Sequence, residues 1–125
     1  MHDPLKTKSF KPGGTVNAYR IVKFHTDDDT VVQAAAATDF LIGISDSLGA
    51  ASTEDRLDVH THGIAEVEYG DGVTRGDELT TDNVGRAVPA APAGGANVRV
   101  IGMAMKSGVL GDIGSCLIAQ SVMQG

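Results

Sequence analysis

Two histidines on one predicted strand are the residues of this chain best suited to bind a ligand through side-chain chemistry. His60 and His62 lie two positions apart in an alternating run, so both imidazoles would project from one face of a strand. Imidazoles at that spacing can bind zinc, but a zinc site needs three or four ligands. His2 and His25 are distant in sequence, and no pattern marks them as partners. We therefore interpret the pair as a solvated strand face, with a small metal- or ligand-binding domain as the alternative.

The acidic and nucleophilic residues do not form a recognisable catalytic pattern either. Glu66 and Glu68 share a strand face, whereas a glycosidase pair must flank a cleft. The sequence contains neither a Gly-x-Ser-x-Gly elbow nor a phosphate-binding loop. Arg75-Gly76-Asp77 matches a tripeptide that some cell-surface receptors bind, but a tight turn explains it equally well. We predict no catalytic residues, no bound metal and no cofactor.

Composition and patterning predict that these residues lie on one small all-β domain. The chain has 125 residues, 16 of them glycine, and no tryptophan. Short apolar or alternating runs separated by glycine turns are typical of a β-barrel or a jelly-roll-like sandwich. The segments predicted to be strands are Tyr19–Phe24, Thr30–Gln33, Phe40–Ile44, Arg56–His62, Gly63–Tyr69, Val98–Met105 and Ile113–Gln120.

Single residues within this pattern carry further expectations. Gly63 interrupts two alternating runs, which indicates a bulge or a tight corner. The stretches Gly72–Asp77 and Gly108–Asp112 resemble one another and predict a turn device that is used twice. Cys116 has no partner for an internal disulfide and lies in an apolar run, so we expect a buried thiol that acts as a small hydrophobe. The sequence contains no apolar run long enough for a membrane-spanning helix, and we expect no secretory leader because the first residues lack an apolar segment.

The first 14 residues differ from the rest in charge and in predicted conformation. Residues 1–14 carry three lysines and one aspartate, which gives them a net charge of +2. Because the net charge of the whole chain is −6, residues 15–125 carry a net charge of −8. Pro4, Pro12 and the Gly13-Gly14 pair predict an extended N-terminal arm over residues 1–14, followed by the β-rich domain over residues 15–125. A basic arm could tether the chain to an acidic neighbour, and the alternative is a frayed terminus without a partner. The acidic body argues against binding to nucleic acid.

Several segments, in their order along residues 15–120, resemble the bacteriophage capsid cement (head decoration) family. They are Asn17–Phe24, Val31–Ala35, Leu41–Ser45, Gly63–Val67, Thr74–Thr80, Gly85–Val88 and Gly111–Ser115. The resemblance implies a β-rich fold without catalysis, which binds as dimers or trimers over the joints between major capsid proteins. It also implies a location on the outer surface of the virion after synthesis in the host cytoplasm, with no nucleic-acid or membrane partner.

Two contact surfaces follow as predictions. The arm would bind the major capsid protein through Lys6, Lys8, Phe10 and Lys11. An apolar strand face with Val98, Val100 and Met103 would mediate self-association in a homodimer or homotrimer. The other interpretations that stay open are the metal- or ligand-binding domain with His60 and His62, and a structural protein of the phage tail or baseplate.

Overall fold

The computed structural model describes residues 6–125, and this part of the chain is built from nine strands and no helix. The predicted all-β class is therefore confirmed. The segments Leu57–Glu68 and Ile113–Gln124 are the longest strands. In chain order the strands are β1 (Lys6–Pro12), β2 (Ile21–Phe24), β3 (Thr30–Gln33), β4 (Leu41–Ser45), β5 (Leu57–Glu68), β6 (Glu78–Thr81), β7 (Ala87–Pro89), β8 (Asn97–Ala104) and β9 (Ile113–Gln124). Residues 6–125 thus contain no helix that could span a membrane.

The first five strands close into a barrel in the order β1-β3-β2-β4-β5. Closure depends on β1, which pairs in parallel with β3 and antiparallel with β5. Phe10, Val22, Val31 and Val59 belong to the apolar cluster of this barrel, and closure leaves none of its strands as an exposed edge. Valine is the commonest residue in the cluster, and Phe10 is its only aromatic member among the described residues.

β5 is shared between the barrel and a second sheet, and Gly63 marks the change of partners. Residues Leu57–His62 pair with β1 and β4, and residues Gly63–Glu68 pair with β9. Gly63 has a φ of +92°, which other residues adopt only with strain. The prediction of a corner at this glycine is confirmed, because the strand changes sheets there without ending.

The second sheet has the order β5-β9-β8-β6-β7, and a parallel bridge between Tyr69 and Ala87 brings β7 back towards the end of β5. Tyr69, Leu79, Ile101 and Cys116 are completely buried in the apolar cluster that lines it. Burial raises the pKa of the Cys116 thiol to about 12, so the thiol stays protonated at neutral pH. The prediction of Cys116 as a buried hydrophobe is confirmed.

The two similar sequence stretches form the same turn. The Asp77 carboxylate accepts a hydrogen bond from the Thr74 amide at 2.9 Å, and the Asp112 carboxylate accepts one from the Val109 amide at 3.0 Å. Gly76 and Gly111 occupy the left-handed position with φ values of +94° and +91°. The repeated device is thus confirmed, and the Arg75-Gly76-Asp77 tripeptide is part of a tight turn in which its carboxylate is already bonded.

The N-terminal segment differs from its predicted form. Residues Lys6–Pro12 are extended as expected, but they form β1 of the barrel and not an arm outside the domain. The lysines and prolines predicted an exposed arm, but Phe10 and Pro12 are buried in the core. Burial of these two side chains holds the segment in the barrel. The domain therefore includes these residues, whereas residues 1–5 of the predicted arm lie outside the described part of the chain.

Candidate functional site

His60 and His62 lie on β5, where their ring nitrogens face hydroxyl groups. Nδ1 of His60 lies 2.9 Å from Oγ1 of Thr7, and Nδ1 of His62 lies 3.1 Å from Oγ1 of Thr61. The register of β1 against β5 shifts at this point, since Thr7 pairs with His60 and Lys6 with His62. Within residues 6–125, His, Cys, Asp and Glu side chains do not come together in any group of three that could hold a metal ion.

The two glutamates on β5 have different environments. Glu68 forms an ion pair with the Arg20 guanidinium at 3.3 Å, whereas Glu66 is exposed. Glu66, His60 and Tyr19 line a shallow depression beside β5. Tyr19 has a φ of +61°, an uncommon conformation for a bulky residue, and its carbonyl accepts a hydrogen bond from the Glu68 amide at 2.9 Å. This geometry fixes the turn before β2.

The three lysines that were predicted to contact a capsid do not form one patch. Lys6 and Lys8 lie where β1 runs beside β5, and the Lys8 ammonium lies 4.8 Å from the centroid of the Phe10 ring. Lys11 points to the opposite side of β1 and lies at the far end, beside β3. There it lines a depression together with Asp29, Glu54 and Asp55. None of the three lysines forms an ion pair with another residue of 6–125, but Lys11 shares its depression with three carboxylates and Arg56.

Phe10 contributes to the barrel core and is not exposed to a partner. Its side chain is buried, and its ring meets the Phe24 ring edge-to-face at a centroid distance of 6.2 Å. A buried ring stabilises the fold through the apolar area that it removes from water. The prediction that Phe10 contacts a capsid is therefore corrected, because this residue closes the barrel.

The residues of the predicted self-association face do not share one surface. The pairing of β8 with β9 is irregular at Ile101, between the pairs Val100–Ser121 and Gly102–Ile118. The extra residue there lies in β9, so the alternation of β8 is not interrupted, and the spacing of three positions places Val100 and Met103 on opposite faces of β8. Val100 is buried with 2% of its surface exposed, Val98 is half-buried, and Met103 is 39% exposed on the outer face. Only Met103 is left for an intermolecular contact on that face.

Met103 lies in an apolar row that crosses three strands. In the register of the sheet Met103 is opposite Leu117, and Leu117 is opposite Ile64, which is 41% exposed. We call Ile64, Leu117 and Met103 the Met103 row. The signal in the sequence was Ile64, an apolar residue that shares the outward-facing positions of β5 with Glu66 and Glu68. Leu117 could be added only once the register between the strands was known.

Comparisons with known proteins give one informative result. No protein-family model matches the sequence, and no curated protein is similar to it. The fold is similar to the crystal structure of the head fiber gp8.5 N base in bacteriophage phi29, with a TM-score of 0.68 and 21% sequence identity. The similarity covers 93% of this chain and 95% of that chain. It establishes a shared fold, and the resemblance to the capsid cement family stays a prediction.

Proposed function

We propose that this chain is a non-catalytic structural protein of a bacteriophage head. It binds the outer surface of the assembled head and bridges neighbouring subunits of the major capsid protein. The observation that supports this function most is the similarity in fold, over nearly the whole of both chains, to the base of a phage head fiber. A fold by itself can serve many functions, so the surface of this chain must supply the contacts.

The surface favours contact between proteins over the binding and conversion of a small substrate. Apolar side chains are exposed at several separate places, including Phe40, Ile64 and Leu110. In the described residues the histidines and carboxylates that could do chemistry are hydrogen-bonded to neighbours or dispersed along strand faces. Exposed apolar patches with polar rims are typical of interaction surfaces.

Binding to an assembled lattice stabilises that lattice by mass action. At a free concentration of about 100 times Kd, a ligand contributes roughly 2.7 kcal/mol per occupied site. Preference for the mature head requires a joint between subunits that exists only after assembly, because a ligand shifts an equilibrium only through differential affinity. Many symmetry-related copies would share the outward load of the packaged genome.

Two contacts of the chain fit this function. Lys6 and Lys8 are exposed next to β5, form no ion pair with any carboxylate of residues 6–125, and would meet acidic residues of the capsid protein. The Met103 row would pack against a second copy in a homodimer or homotrimer, because it is the apolar part of the outer sheet face that contains Met103. Lys11 is a weaker candidate than the other lysines because of the carboxylates beside it.

The test is to add purified protein back to particles that lack it. Heads and complete particles are prepared from a phage in which the gene has been deleted, incubated with the protein, sedimented, and imaged by cryo-electron microscopy. We expect saturable binding and regular density on the outside of the head. Density on the tail or baseplate instead, or no binding to any particle, would contradict the proposal.

A paired substitution tests the lysine contact. Lys6→Glu combined with Lys8→Glu is expected to weaken binding to heads and to reduce its dependence on salt concentration, because both charges are exposed. Lys106→Glu, which changes one exposed lysine in a turn of the second sheet, is the control. Equal binding of the double variant and the wild type would remove β1 from the contact.

A further inference from the structure

A groove on the second sheet combines an exposed aromatic ring with a cation. Phe40 is 66% exposed and Val122 is 50% exposed, and they flank a groove of about 290 Å³ that Ile42, Arg99 and Gln120 also line. We call it the Phe40 groove. It lies on the other side of the Ile101 bulge from the Met103 row, so the two surfaces are distinct. Its volume is sufficient for one or two inserted side chains.

The groove is held open by hydrogen bonds from its walls. The Arg99 amide donates to the Ala37 carbonyl at 2.7 Å, which fixes the loop before Phe40 against β8. The Gln120 side-chain amide donates to the Ile42 carbonyl at 3.0 Å and ties β9 to β4. A preorganised groove of this kind loses little conformational entropy when a partner enters it.

The Arg99 guanidinium lies over the Phe40 ring, 4.4 Å from the ring centroid. Among residues 6–125, no carboxylate lies within ion-pair distance of this guanidinium. Asp39, the carboxylate of the same loop, is already bound by Lys23 at 3.2 Å and by the amides of Ala35 and Ala36. Arg99 is therefore a partly buried cation within an apolar rim, and no carboxylate of residues 6–125 compensates its charge.

We propose that the Phe40 groove binds a surface segment of the major capsid protein in which an apolar side chain stands next to a carboxylate. The apolar side chain would fill the space between Phe40 and Val122, and the carboxylate would accept hydrogen bonds from the Arg99 guanidinium. Arginine and aromatic residues dominate the energetic centres of protein interfaces, and exclusion of water strengthens a cation–π pair. This assignment of the partner rests on the proposed function.

The charge also argues against a two-fold contact of the groove with a second copy of this chain. A two-fold contact centred on the groove would set one Arg99 guanidinium against another, because such interfaces use the same surface on both sides. Like charges at that distance oppose association. A carboxylate-bearing segment of a different protein satisfies the same geometry without this cost.

The experiment compares the apparent Kd of variants for the protein-deficient heads described above. Arg99→Glu and Phe40→Ala are each expected to weaken binding about 10- to 100-fold, because each removes one anchor of the interface. The matched controls are Arg75→Glu, which makes the same change of charge in an exposed turn, and Leu48→Ala, which removes an exposed apolar side chain from a loop. Circular dichroism and urea unfolding confirm that each variant is folded.

The outcomes separate the groove from the wider function. If the wild type fails to bind heads, the proposed function fails and this assignment fails with it. If the wild type binds, and Arg99→Glu and Phe40→Ala bind equally well, only the groove is excluded. If the two variants instead change the sedimentation coefficient of the free protein and leave head binding unchanged, the occupant is a second copy, which also overturns the proposal.

Discussion

The ring of Tyr69 lies directly against the α-carbon of Gly114, and a β-carbon at position 114 would overlap its hydroxyl end. The same ring lies over Gly108, where an added β-carbon would be 2.9 Å from Cδ2. The Tyr69 hydroxyl then donates a hydrogen bond to the Lys106 carbonyl at 2.5 Å. The turn between β8 and β9 is therefore built around a single buried tyrosine.

Gly114→Ala is expected to lower the free energy of unfolding by roughly 3 kcal/mol, because it forces Tyr69 out of its place in a close-packed core. Gly72→Ala is the control, since nothing lies within 4 Å of the added methyl group there. Urea unfolding followed by circular dichroism measures both. Similar midpoints for the two variants would show that the ring can move aside at little cost.

Phe10→Ala is expected to lower the free energy of unfolding by about 3–5 kcal/mol, since it removes a buried ring from a small barrel core. Ser9→Ala removes only an exposed side-chain hydrogen bond to Asp58 and is expected to cost less than about 1 kcal/mol.

Deletion of residues 1–12 is expected to prevent folding, because it opens the barrel between β3 and β5. A truncated chain that unfolds cooperatively at the wild-type midpoint would contradict this role of β1.

Cys116 is expected to resist modification by a disulfide reagent in the native protein at pH 8. Burial excludes the reagent and raises the pKa of the thiol to about 12, so almost no thiolate is present. In denaturant the thiol should react fully within minutes. Ser47→Cys, which places a second thiol at an exposed position, is the positive control. Rapid labelling of native wild-type protein would indicate local opening of the second sheet.

Asp39→Asn is expected to lower the free energy of unfolding at pH 7 by about 1 kcal/mol. Partial burial raises the pKa of the Asp39 carboxyl. The hydrogen bonds from the Ala35 and Ala36 amides and the Lys23 ammonium lower it by more, so the pKa lies below its usual 3.8. A lowered pKa stabilises the fold above the unfolded value, and this stabilisation is lost as the pH falls through the folded value. The difference between wild type and variant should therefore shrink below about pH 4. Unfolding curves from pH 7 to pH 3 measure it, and a difference that does not change with pH would contradict the assignment.

Local sequence determined the elements of this protein because their causes are local. Alternation of apolar and polar residues located the longer strands β5, β8 and β9 close to their observed positions. Gly63 marked the corner, and Gly76 and Gly111 marked the repeated turn, because only glycine takes the left-handed conformation without strain. The apolar neighbours of Cys116 were sufficient to predict its burial.

The tertiary structure alone decided which of these residues share a surface. The parallel pairing of β1 with β3 joins residues far apart in sequence and turned a predicted arm into the strand that closes the barrel. Alternation alone places Val100 and Met103 on opposite faces of β8, but only the strand register placed Met103 beside Leu117 and Ile64. Arg99 and Phe40 came together in the same way, across 59 positions of the sequence that only the folded sheet brings into contact. Periodicity records which side of a strand a residue faces, whereas the identity of its neighbours depends on long-range pairing and on single-residue bulges, which leave no periodic signal.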